Sequence, residues 1–291
     1  MSPMRTILLC SAVLASIATA QPKIAVMETA FGKRGDVDSI AAAKRAGYAA
    51  IQMHSGQPDG FGKVPIDSAT SLAIGDDPAI LGSWKKASAE HGVEIVSLCA
   101  GSLNKCQIWD RDREVAMRIA KQTIDGCHAL GVKTMLFPFF GPSKFQESDE
   151  ALRGIAGFMK ELVPYAEKKD VVIGIEAPVT TERVLQLMKL CGFPEHLKVY
   201  YDTGNLFDRE DIYETIRKHA KRHFCEIHIK AAGHKVIGQG KTDLAKLAAA
   251  LDDAGYDDWL VYEANRNGRD PIANLEGIEK IASLRSSKTR K

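Results

Sequence analysis

Apolar residues recur along this chain in two alternating rhythms. Short, nearly continuous apolar runs lie at residues 23–27, 48–53, 93–98, 132–137, 171–175, 197–201, 224–229 and 259–262. They are too short for buried helices and sit between glycines and charged turns, which is the pattern of strands buried on both faces. Between them, apolar positions return every three or four residues, at 37–45, 115–130, 155–166, 212–220 and 244–251. That is the stripe of a helix covering a sheet. Gly47, Gly92, Gly131 and Gly255 stand where helical stretches end, as C-cap glycines do. Strands alternating with helices pair in parallel through right-handed crossovers, and eight of them close on themselves. The expected fold is α/β, a single (β/α)8 TIM barrel over residues 21–291, a usual length for one such domain. The longest connection, residues 54–77, carries Gly56, Pro58, Gly60, Gly62 and Pro65 and reads as a rim loop or lid.

The first twenty residues follow another logic. Arg5 precedes an apolar run over 7–17, and Ala18-Thr19-Ala20 then offers a small-residue cleavage site. This order marks residues 1–20 as a secretory signal peptide and the protein as exported, periplasmic or secreted. The run is shorter than the ~20 residues of a membrane span, so no span is expected. With 45% apolar and 26% charged residues there is material for a large core, and a net charge of +2 offers no general attraction to phosphate backbones. Nucleic acid is therefore not an expected partner. Of six cysteines, Cys10 leaves with the signal, and Cys99, Cys106, Cys127, Cys191 and Cys225 read as small buried apolar residues, with a Cys99–Cys106 bridge as the alternative.

Chemistry in a barrel collects at the C-terminal ends of the strands. Here those positions read Glu28, His54, Ala100, Pro138, Glu176, Asp202, His228 and Glu263. A single charged strand end can be a solvated residue or a helix cap. Four metal-ligand types at four successive strand ends, each one strand–helix unit from the next, converge on one side of the mouth. Three carboxylates and an imidazole make a hard oxygen and nitrogen site for one divalent metal ion, Mn²⁺ first, with Mg²⁺, Co²⁺ or Zn²⁺ as alternatives. No C-x-x-C pair exists, which excludes an all-thiolate zinc site.

Ile175-Glu176-Ala177, Tyr201-Asp202-Thr203-Gly204-Asn205, Ile227-His228-Ile229-Lys230, Gly238-Gln239-Gly240 and the stretch from Gly255 to Glu263 resemble the sugar phosphate isomerase/epimerase family of xylose isomerase-like TIM barrels. The similarity runs over roughly residues 23–284, with its specific motifs after Val171. It implies one divalent metal held by Glu176, Asp202, His228 and Glu263, and, from the ketose epimerase branch, Glu176 and Glu263 as the acid/base pair. The chain departs from the pattern at three places: Ala231 follows Lys230 where many relatives have a carboxylate, Asn205 stands where the epimerase branch has histidine, and strand two ends Gln52-Met53-His54 rather than in a glutamate pattern.

The donor set suggests the same reaction class on chemical grounds. A divalent ion chelated by adjacent carbonyl and hydroxyl oxygens acidifies the C–H between them, and two carboxylates can remove and return the proton. The expected activity is isomerisation or epimerisation of a small carbohydrate by proton transfer through an enediolate, with Glu176 and Glu263 catalytic. His54, Asn205, Lys230 and His234 are the expected substrate-binding residues, Lys230 also balancing surplus carboxylate charge. A metal-dependent lyase or dehydratase acting on a keto-sugar, keto-cyclitol or 3-keto-glycoside is the alternative, and a non-catalytic sugar-binding barrel the third reading. Phosphodiester cleavage is disfavoured, because the strand ends supply too few histidines for a trinuclear zinc site. Gly238-Gln239-Gly240-Lys241 lacks phosphate-loop spacing and reads as a tight turn, whereas Trp109, Phe139 and Phe140 suit either sugar stacking or rim packing. A homo-oligomer is left open.

Overall fold

The computed structural model describes residues 23–32, 34–55, 77–141, 145, 148–232, 235–264 and 270–288. The expected signal peptide, most of the expected rim loop and His234 lie outside these residues. Eight strands form a closed parallel barrel in sequence order: β1 (Ile24–Met27), β2 (Ala50–His54), β3 (Glu94–Cys99), β4 (Thr134–Pro138), β5 (Val172–Glu176), β6 (Leu197–Asp202), β7 (Phe224–Ile229) and β8 (Leu260–Tyr262). The ring closes where β8 pairs with β1, Ile24 opposite Leu260 and Val26 opposite Tyr262.

The described helices are α1 (Asp38–Arg45), α2 (Pro78–His91), α3 (Arg113–Leu130), α4 (Asp149–Lys168), α5 (Thr181–Leu190), α6 (Ile212–His223), α7 (Leu244–Ala254) and α8 (Pro271–Lys288). Local chemistry sets their ends. Asp77, Asp211 and Asp243 accept first-turn N–H groups of α2, α6 and α7, and Ser148 does so for α4, caps of about 1 kcal/mol each. Gly131 (φ 76°) and Gly255 (φ 63°) stop α3 and α7 in the left-handed conformation that a side chain disfavours.

Leucine, isoleucine and phenylalanine side chains of the helices pack on the outer faces of the strands as one continuous core. The barrel interior is different. Ala25, Ala50, Val96 and Val261 pack together at the N-terminal end. Above them the buried interior turns polar, with Gln52, Ser97, Tyr200 and Glu226 all at 1% exposure or less. That polar layer lies directly beneath the strand ends.

The five described cysteines are free thiols, so the alternative of a Cys99–Cys106 bridge is not realised. Gly238-Gln239-Gly240 is a tight turn, as expected, with the Gln239 N–H donating to the Val236 carbonyl at 2.9 Å. Phe139 is fully buried and stacks on Phe137 at 5.1 Å, and Trp109 packs closely over Gly154 on α4. Both are packing residues, whatever else approaches the rim.

Candidate metal centre

The pairing register carries the side chains to one place. Asp202 sits opposite His228 across β6 and β7, and Glu176 ends β5 beside Pro138 of β4. Glu263 follows β8, tied by its N–H to the Ile229 carbonyl. Each of Glu176, Asp202, His228 and Glu263 offers one ligand atom, and the four atoms lie within 4.8 Å of one another. His228 Nδ1 is 3.3 Å from Glu176 Oε1, 3.3 Å from Glu263 Oε2 and 3.9 Å from Asp202 Oδ2. His228 is fully buried, and Glu176 and Asp202 are nearly so.

Each ligand is held from behind. Asp202 Oδ1 accepts the backbone N–H groups of Gly204 and Asn205, both at 2.7 Å, which leaves Oδ2 for the cluster. The Asn205 amide then joins the members: its Nδ2 donates to Asp202 Oδ2 at 2.9 Å and to Glu176 Oε1 at 3.4 Å, and its Oδ1 accepts from Lys230 Nζ at 3.3 Å. Lys230 Nζ also lies 2.9 Å from Glu263 Oε2 and 3.6 Å from Asp202 Oδ2. Its stem crosses Gly204, where an added Cβ would come within 2.8 Å of Lys230 Cγ, so Gly204 leaves the lane the lysine occupies. On the far side of the imidazole, Nε2 stands 3.0 Å from Gln52 Oε1.

Electrostatics follow from this crowding. Burial would lower His228, but hydrogen bonds and charge from Glu176 and Glu263 push it up to about 10. Burial would likewise neutralise Lys230, yet Asp202 and Glu263 hold it protonated well above the ordinary lysine range. Burial raises Asp202 against the Lys230 charge, whereas Glu263, which burial would also raise, is held low by Lys230 and His228. Behind the cluster, burial pushes the Glu226 carboxyl up to about 7, although Ser97, Tyr200 and Thr134 donate to it.

The residues fit a divalent cation. With His228 neutral, as a metal ligand must be, three carboxylates against one lysine leave about two unbalanced negative charges in a buried space, which a divalent ion would neutralise. Ligand atoms around a six-coordinate ion at about 2.1 Å stand about 3.0 Å apart when adjacent and about 4.2 Å apart when opposite. The separations of His228 Nδ1 from the three carboxylates, 3.3, 3.3 and 3.9 Å, fall in that range, and the four atoms together lie within 4.8 Å. The donors are the hard oxygen and imidazole set expected from the sequence.

The four expected ligands thus come together, with Lys230 and Asn205 among them. His54 does not join: its Nδ1 is 2.7 Å from Glu28 Oε1, and that oxygen also accepts the N–H groups of His54 and Gly35. Gly101 packs on the other edge of the ring, within 2.9 Å of Cδ2 for an added Cβ. Sequence reading placed Glu28 at a strand end without a role and overlooked Gln52 and Glu226. A glutamate inside the otherwise apolar run of β7, two residues before a metal-ligand histidine, was the available signal.

The sequence profile of the family described as "Xylose isomerase-like TIM barrel" matches residues 40–285. The chain belongs to that family. Among solved members of similar fold, an L-ribulose 3-epimerase superposes with a TM-score of 0.74 at 18% identity, covering 92% of this chain and 97% of the epimerase. A 3-keto-D-glucoside 4-epimerase from E. coli gives 0.69 at 16% identity, covering 91% and 100%. At such identities the likeness is one of fold. An inosose dehydratase of Geobacillus thermodenitrificans is 32% identical over 110 residues, 30% of this chain and 37% of the dehydratase, so the match spans little more than a third of that protein. The enzymes this chain resembles are named for different reactions, epimerisation and dehydration, and the fold does not choose among them.

Proposed function

We propose that the protein is a metal-dependent carbohydrate isomerase or epimerase that moves a proton at the carbon beside a carbonyl. The observation that carries this reading is the buried cluster in which two glutamates, from β5 and β8, close on one imidazole nitrogen with a lysine beside them. A bound divalent ion, Mn²⁺ in the first place, would polarise the substrate carbonyl and acidify its neighbouring C–H. Glu176, Asp202, His228 and Glu263 are the residues that would hold it. Glu176 and Glu263 are the catalytic pair, one removing the proton and the other returning it, with the substrate passing through an enediolate. Lys230 keeps Glu263 ionised and available as a base, and Asn205 orients Glu176 and Asp202. Lys230, Asn205, His54 and His234 are proposed to meet the sugar hydroxyls, His54 oriented for this by Glu28.

A lyase is the second reading, favoured by the local match to an inosose dehydratase. The same base would remove the proton, and a leaving group β to the carbonyl would depart. Deuterium exchange separates the readings. A panel of ketoses, aldoses and keto-glycosides is incubated in D₂O with Mn²⁺ and the wild type, Glu176→Gln or Glu263→Gln. Label at the carbon beside the carbonyl, otherwise unchanged product mass, and loss of exchange in both variants are expected. Loss of water or an aglycone would move the assignment to the lyase. Sugar binding with no exchange and no product would leave a binding protein.

Export is part of the proposal and rests on the order of charge, apolar run and small residues in 1–20. Expression with the leader intact and N-terminal sequencing of the exported protein is expected to read from Gln21. No helix among the described residues is long and apolar enough to cross a membrane.

A further inference from the structure

The hydrogen bonds inside the barrel form a directed chain that ends on the metal-centre histidine. Glu226 Oε2 lies 2.8 Å from Ser97 Oγ and 2.8 Å from Tyr200 Oη. Both hydroxyls donate to Oε2, as they must to a carboxyl oxygen that carries no proton of its own. The two hydroxyl protons are thereby committed to Glu226, and their lone pairs face the other way. Gln52 Nε2 meets those lone pairs, at 2.9 Å from Ser97 Oγ and 2.8 Å from Tyr200 Oη. With its NH₂ so engaged, the Gln52 amide must turn Oε1 toward His228 Nε2, 3.0 Å away. Oε1 is only an acceptor, so Nε2 must carry a proton. Turning the amide over would draw the hydroxyl protons to Gln52 Oε1 and leave the buried Glu226 Oε2 without its donors.

We infer that Gln52, Ser97, Tyr200 and Glu226 act as a positioning relay that holds the Nε2 proton of His228, so that the ring gives up its other proton to a metal ion and presents the Nδ1 lone pair to the metal centre. The inference rests on the metal-centre reading and deepens it. Nδ1 is the nitrogen 3.3 Å from both glutamates, so the tautomer set from below is the one a ligand at that position requires. The ring is also fixed sideways by Tyr200, whose ring meets the imidazole edge-on with centroids 4.6 Å apart. Tyr200 has room because Gly174 faces it: a Cβ there would lie 3.1 Å from the Tyr200 side chain and 2.6 Å from Cys225 Sγ. Every member of the relay is at 1% exposure or less, so solvent does not rescue a broken link.

The test uses the mature protein stripped of metal, with Mn²⁺ binding followed by the electron paramagnetic resonance signal of free ion. Gln52→Met keeps the volume and removes the acceptor; affinity is expected to fall roughly 10- to 100-fold, the range for loss of such a partner. Ser97→Ala/Tyr200→Phe touches no ligand oxygen or nitrogen but frees the amide to turn, and is expected to weaken binding by several-fold, with Tyr200→Phe alone in between. A second readout needs neither activity nor affinity. In ¹⁵N-histidine protein loaded with Zn²⁺, His228 is expected to show a directly bonded, slowly exchanging proton on Nε2, which Gln52→Met exposes to fast exchange. Zn²⁺-loaded wild type with its ring proton on Nδ1 and none on Nε2, or Gln52→Met binding Mn²⁺ within twofold of wild type with its Nε2 signal unchanged, would overturn the relay while leaving the metal centre intact. If wild type binds neither Mn²⁺ nor Zn²⁺, the metal-centre reading itself falls and the relay with it. Should Gln52→Met fail to fold by circular dichroism, the hydroxyl variants decide the question.

Discussion

Loading a metal ion at this centre has to displace a proton from His228, and the residues around the ring set how that depends on pH. In the metal-free protein the imidazole is pushed up to about 10, because Glu176 and Glu263 outweigh the burial that disfavours its charge. A nitrogen cannot hold a proton and a metal together, so binding releases the proton. Between about pH 6.5 and 8.5 the ring starts protonated, and each unit of pH lowers the cost of stripping it by about 1.4 kcal/mol. Apparent Mn²⁺ affinity is expected to climb about tenfold per unit, about a hundredfold over that window, and to flatten as pH approaches 10. Isothermal titration calorimetry in buffers of different ionisation enthalpy counts the protons: one from His228, and more where Asp202, raised by burial, also carries one. Stability gives an independent check. A group raised from about 6.5 in the unfolded chain stabilises the metal-free fold fully below that pH, and loses the contribution as pH rises through about 10. Metal-free protein should therefore melt lower at pH 9.5 than at pH 7, and Mn²⁺-loaded protein should not show this loss. Affinity flat in pH, with well under half a proton released, would refute the placement of His228 as a ligand.

Lys230→Met removes a cation 2.9 Å from one metal-ligand carboxylate; a unit charge at about 4 Å is worth about 4 kcal/mol at an effective dielectric of 20. Mn²⁺ is expected to bind at least tenfold more tightly while the metal-free protein melts lower, and calorimetry together with thermal melts would show both. Gly174→Ala drives a methyl against Cys225 and Tyr200, with an expected loss of about 1–3 kcal/mol in urea unfolding. A thiol reagent is expected to label Cys191 in the folded protein and to leave Cys99, Cys106, Cys127 and Cys225 untouched until denaturant is added, since the first is half-buried and the others are buried, while burial raises all five thiols.

The strands were legible because a parallel barrel buries both strand faces, and the resulting apolar runs match the observed strands to within two residues at either end. The helices with strong apolar stripes, α3, α4, α6 and α7, were legible for the complementary reason. α2, α5 and α8 were not singled out: α2 buries only Trp84 fully and α5 is short, so neither writes a clear period. The four ligand positions could be read because strand ends recur at regular spacing and all share one environment. The relay could not. Gln52, Ser97, Tyr200 and Glu226 come from four strands, and what unites them is a depth inside the barrel that depends on register, including the irregularities between Ile51 and Gln52 and between Val199 and Tyr200. Linear spacing carries no trace of such a shift.

All four cluster members come from β5 to β8, and none from β1 to β4. An ion held by that arc would stand off the barrel axis, against one wall. The backs of its ligands are filled by Asn205, Lys230 and Gln52. On the opposite wall, Glu28 and His54 hold each other. Apart from Gln52 and Ser97, which reach across to hold His228, the strand ends of the first half would thus be free to be rebuilt for a new substrate without disturbing the electrostatic balance of the second.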